Sequence, residues 1–115
     1  MQIPIHVFKK SIVGNKLVYN ISPTYLGYAE MDSFSPENVW NLCNWEHWTN
    51  AKPDNLFADI SSCDHGLLLI CPGTEECWLA LSDGWLSGSK ENIIAYVERH
   101  KHDIWWGEKE ERENV

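Results

Sequence analysis

The sequence predicts an α+β fold, a mostly antiparallel sheet of five or more strands with two helices packed on it. Three observations carry that prediction. Apolar runs of strand character flank turn signals at Gly14-Asn15, Pro72–Glu76 and Asp83-Gly84. Two segments, opening at Ser35 and at Ser89, switch to the helical period. The resulting order along the chain is strands, helix, strands, helix.

In "IPIHVFKKSIVGNKLVYNIS", Gly then Asn between β-branched runs suits a two-residue hairpin turn that needs positive φ. Ile3, Ile5 and Val7 fall on one side of the first strand, His6 and Phe8 on the other. Pro4 belongs near a strand start, where its missing N–H costs little. "TYLGYAEM" reads as the next strand after the Ser22-Pro23 break.

A helix is predicted over 36–47. Ser35 is its N-cap, Pro36 occupies the first helical position, and Glu37 sits at the positive end of the helix dipole. At 100° per residue, Val39, Trp40, Leu42 and Cys43 share one broad face. Trp45 and Trp48 fall nearly opposite, so a straight helix cannot bury all three tryptophans against one core. Either the helix stops near Asn44 and the chain turns back, or Trp45 and Trp48 cover a second surface.

"TNAKPDN" is a loop and "LFADIS" a short strand. Leu67–Cys71 and Cys77–Leu81 flank a five-residue hairpin loop, with Cys71 expected to face Cys77. "GLLLI" is apolar throughout, which places that strand centrally, covered on both faces. Trp85 and Leu86 form a further short strand. A second helix, over 90–104 and capped by Ser89, carries a stripe of Ile93, Val97, His100 and Ile104, widened by Ile94 and Tyr96. Residues 1–106 are expected to form one domain, and 107–115 a solvated, charged tail.

Composition narrows function by exclusion. No stretch approaches the roughly 20 apolar residues of a membrane span, and the N-terminus lacks the form of a signal peptide. The expectation is a cytoplasmic protein with no membrane contact, its four cysteines reduced. A net charge of −8 works against direct nucleic-acid binding and favours a basic partner. Mimicry of nucleic acid is weighed too, but the carboxylates are dispersed rather than set in dense rows.

No motif names a reaction. G-x-S-x-G, phosphate-loop and dinucleotide fingerprints are missing from the sequence, so no catalytic residue, metal or cofactor is assigned. Cys43 and His47, four apart, would share a helical face. Cys63, Asp64, His65, Cys71 and Cys77 are of ligand type, but their spacings fit no common zinc pattern.

The anomaly is aromatic: seven tryptophans, several times ordinary usage, in a residue type enriched in binding hot spots. Trp45, Glu46, Trp48, Trp105, Trp106, Glu75 and Glu76 are therefore the candidate partner-binding residues. The leading reading is a stoichiometric inhibitor or accessory factor that presents an aromatic-centred, acid-rimmed face to a protein target with a basic surface. Immunity proteins, antitoxins and phage-encoded anti-defence proteins work this way, an analogy of class and not of sequence. Two alternatives stand beside it. One is a small thiol- or metal-dependent enzyme using Cys43, His47, Cys63 and His65. The other is a homo-oligomeric structural component, a homodimer or larger, joined through its own exposed tryptophans.

Overall fold

The alternating N-terminal run becomes strand β1, Gln2–Val7, in the computed structural model, which describes residues 1–102. Ile3 and Ile5 are fully buried on one side, and Pro4 and His6 sit half-buried on the other. The chain then leaves the sheet at Phe8-Lys9. Lys10–Val13 (β2) and Lys16–Tyr19 (β3) pair as a separate two-stranded ribbon. Gly14 and Asn15 make its turn, with φ of 56° and 68°, the left-handed pair that a two-residue hairpin connection requires.

The main sheet has six antiparallel strands. Thr24–Glu30 (β4), Leu56–Ala58 (β5), Leu67–Ile70 (β6), Glu76–Leu81 (β7) and Gly84–Ser89 (β8) join β1 in the spatial order β5-β4-β1-β6-β7-β8. The sheet and its two helices are α+β in the predicted element order. "GLLLI" supplies β6, and Leu67, Leu68 and Leu69 are all buried because both faces of that strand are covered.

Each face carries its own apolar layer. On the near face, Ile3, Ile5, Ala29, Leu56, Ala58, Leu67 and Leu69 pack with Val39 and Cys43 of the first helix. On the far face, Phe8, Tyr19, Leu68, Cys77 and Leu79 pack with Ile93, Tyr96 and Val97 of the second. The far layer thus serves β6, β7 and the ribbon, while the near layer runs from β5 across to Ala80 of β7, with Trp78 and Trp85 packed on its edge.

Both helix starts follow the local chemistry. In α1, Pro36–Leu42, the Asn38 N–H donates to Ser35 Oγ at 3.3 Å. In α2, Lys90–Arg99, the Asn92 N–H donates to Ser89 Oγ at 3.2 Å. The ends differ from prediction. The α-helix expected over 36–47 stops at Leu42, and Trp45–His47 forms a separate 3-10 turn. Asn44 is the reason: its side chain donates to Trp40 O at 2.7 Å, satisfying a terminal carbonyl, while its backbone is extended. The helix expected over 90–104 ends at Arg99 with His100 as its cap, and the His100 ring packs on Tyr96. Ile104, Trp105, Trp106 and the charged tail lie outside the described residues.

One half-buried group on β1 sets a pH dependence. His6 Nδ1 is enclosed with no hydrogen-bond partner among the described residues. Burial, and then the charge of Lys90, hold the His6 pKa below its ordinary value. As pH falls through about 6.5 the unfolded chain takes up a proton that folded His6 resists, so stability drops. Urea denaturation at several pH values from neutral to mildly acidic should show this loss, and His6→Phe should make the decline shallower. An identical slope in the variant would remove His6 from the account.

Candidate functional site

The predicted aromatic site is built on the chain reversal after α1. Cys43 closes the helix, its N–H bonding Val39 O at 3.0 Å. Asn44 then clamps two segments, since its amide oxygen also accepts the Cys63 N–H at 3.0 Å. Trp45 N–H donates to Ser61 O at 2.7 Å, and Trp48 N–H donates to Trp45 O at 2.9 Å. The backbone of Trp45 is held from both sides while its side chain stays 59% exposed. Glu46 and His47 are exposed beside it. Trp45, Glu46, Trp48, Thr49, Asn50 and Ala51 line one shallow depression.

The three tryptophans of "WNLCNWEHW" have three different roles. The sequence groups Trp48 with Trp45, but Trp48 packs on the near-face core and its indole N–H donates to Leu42 O at 2.9 Å. The turn folds Trp48 back under the helix end, a reversal that a continuous helical wheel does not contain. Trp40, expected in the core, is half-buried: Val39 and Cys43 take the fully buried positions and Trp40 packs against them. It meets Trp85 edge-on, with ring centroids 6.0 Å apart at 87°. Trp45 alone of the three points into solvent.

Glu75 and Glu76 are exposed at the β6–β7 turn. Glu75 lines a separate depression with Thr74, Ser89, Lys90 and Glu91, so the structure does not bring it to the Trp45 turn. Trp105 and Trp106 lie outside the described residues.

The thiols are placed differently from expectation. Cys71 does not face Cys77: the β6–β7 register sets Cys77 opposite Ile70, and the Cys71 N–H reaches Glu76 O at 2.9 Å. Adjacent positions on a strand point to opposite faces, which separates the two side chains. Cys43 and Cys63 come together instead, close enough for one thiol to bear on the titration of the other. The Cys63 thiol also contacts Trp40 O at 3.6 Å. The neighbouring Cys43 thiol first, then burial and the nearby charges, push the Cys63 pKa up, so the thiol stays protonated. Such a poise works against the thiol-enzyme alternative.

Peroxide reacts with thiolates, so the buried Cys43 and the protonated Cys63 should resist mild peroxide. Peptide mapping after peroxide, with alkylation in denaturant, should recover both as alkylated thiols. A Cys71–Cys77 crosslink in the same digest would contradict the register.

His47 is four residues from Cys43, but the helix ends between them and leaves His47 exposed while Cys43 is buried. Asp64 and His65 form their own pair, Nδ1 to Oδ1 at 2.9 Å, with Lys10 3.4 Å from the other carboxylate oxygen. Partial burial alone would raise the Asp64 pKa, but the His65 backbone N–H, the His65 ring and Lys10 outweigh it and hold the carboxyl below its ordinary value. Among the described residues, no three His, Cys, Asp or Glu side chains converge as a metal site.

One surface escaped the sequence reading altogether. Tyr25, Tyr28 and Phe57 share the far face of the sheet beyond the reach of α2. Strict alternation puts residues 25 and 28 on opposite faces, but β4 carries a bulge. Ile5 pairs with Gly27 and His6 with Tyr25, leaving Leu26 as the extra residue. The sequence carries one sign of it, the isolated Gly27 inside the strand run, whose φ of 137° marks the bulge in the structure.

No protein-family model matches this chain, and no curated protein or solved structure matches it either.

Proposed function

We propose that the protein acts by stoichiometric binding, as an inhibitor or accessory factor that presents the Trp45–Glu46 turn to a basic site on a protein target. The observation that carries this reading is the contrast within Trp45, a fixed backbone under an exposed indole. A backbone held in advance loses little freedom on docking, and burying the indole it carries supplies the desolvated anchor typical of hot spots. Glu46 beside it and the net charge of −8 supply a rim that favours a basic partner. Among the described residues no helix is long and apolar enough to cross a membrane.

Affinity capture from the native cell, followed by mass spectrometry, should return one dominant protein in stoichiometric amount. Trp45→Ala should weaken that complex by about 2 kcal/mol or more and leave the melting temperature close to wild type. Full retention of the captured protein by Trp45→Ala would move the contact elsewhere on the molecule.

A further inference from the structure

Among the described residues, the far face of the sheet over β5, β4 and β1 is left open, because α2 and the β2–β3 ribbon pack on the β6–β7 side. Tyr25 and Phe57 are 58% and 51% exposed there. Tyr28 stacks on Phe57 with ring centroids 4.9 Å apart and 23° between their planes. His6 lies against Tyr25 at 5.2 Å. Four rings thus form two contacting pairs on one side of three adjacent strands. Alternation sets Glu30, two residues past Tyr28, on the same side; Asp59 follows directly on the end of β5, and both carboxylates are exposed. No lysine or arginine occurs in β1, β4 or β5; the cations nearest the face are Lys90, whose charge reaches His6, and the N-terminal ammonium, 3.8 Å from Glu30 Oε1.

We propose that this aromatic face is a docking surface for an arginine-bearing basic segment of a partner protein. A guanidinium is planar and weakly hydrated, so it stacks on Tyr and Phe rings while keeping its N–H groups free for carboxylates such as Glu30 and Asp59. The protein's charge of −8 adds long-range attraction of the same sign. Nucleic-acid bases also stack on rings, but their phosphates need cations, and these strands offer two carboxylates instead. A second copy fits worse, since its own Glu30 and Asp59 would return to an already acidic rim. The face lies across the sheet from the Trp45 turn. It rests on the proposed function only in the basic character of the partner, so each surface can fail without the other.

The test is an NMR titration of the whole protein with hexaarginine, hexalysine and oligothymidine, observing ring and amide signals. Hexaarginine should bind more tightly than hexalysine and shift Tyr25, Tyr28 and Phe57. Trp45→Ala should leave this response intact. Phe57→Ala should weaken hexaarginine binding by about fivefold at unchanged melting temperature, the size of one surface cation–π contact. Asp59→Asn supplies a second variant that spares the rings, and it should weaken binding and its salt dependence together. The inference is overturned if shifts appear only at Glu46 or Glu75–Glu76, if neither variant changes affinity, if the two cationic peptides bind alike, or if oligothymidine is the tighter ligand.

Discussion

Gly27→Ala is expected to remove most of the stability of the fold. Gly27 has a φ of 137°, a conformation that side-chain-bearing residues rarely adopt. A Cβ at this position would run into the Phe57 carbonyl oxygen and lie 2.5 Å from Ala58 Cα. Both obstacles are backbone of the neighbouring strand, so no rotamer change relieves them. Strained dihedrals and overpacking together cost roughly 3 kcal/mol or more, a large share of a marginal domain's stability. Thermal denaturation followed by circular dichroism should show a melting temperature lower by more than about 10 °C, or no cooperative transition. Gly14→Ala is the control: φ is 56° but nothing lies within 4 Å of the added methyl, so only about 1 kcal/mol is at stake. Equal effects at the two sites would mean that the β4–β5 contact yields easily.

The second large effect is expected at Trp40. Its ring packs on the near-face core and against Trp85. Truncation to Ala opens a cavity at the seam between α1 and the sheet, at a cost of about 3 kcal/mol, the lower end for a tryptophan because the ring is only half-buried. Trp45→Ala, five positions on, should change stability by less than about 0.5 kcal/mol, as surface substitutions do. Urea titration of the two variants separates them directly. Matching losses would mean that Trp45 is a packing residue and would remove the basis for its role in binding.

How much of this was readable in advance depends on whether a feature is local. The Ser35 and Ser89 caps, the Gly14-Asn15 turn and the buried "GLLLI" strand follow from chemistry within a few residues, and all are present. The length of α1 was not readable, because it depends on Asn44 reaching back to Trp40 and across to Cys63. For the same reason the sequence groups Trp48 with Trp45. The Cys43–Cys63 pair joins residues of two different loops and has no spacing signature. The far-face rings depend on a one-residue bulge, which reverses the parity on which period-two reading relies. Exposure of Trp45 was legible as a position off the helical stripe, while the bracing that gives it meaning came from long-range backbone bonds.

The order β5-β4-β1-β6-β7-β8 also has a consequence for the path by which the protein folds. It divides the sheet into two three-stranded halves, β1 with β4 and β5, and β6 with β7 and β8. The ladder that joins the halves runs through the pairs Ile5–Leu69, His6–Leu68 and Val7–Leu67. On the ribosome β1 emerges first, yet its inner neighbour is made only after the whole of α1 and β5 has followed. Until then Ile3 and Ile5 have half of their layer missing. Closing that seam spans the longest loop in the sheet, so chain entropy makes it the late step, with the two halves as its precursors. The central strand β6, the most buried by the end, is among the last to find its place.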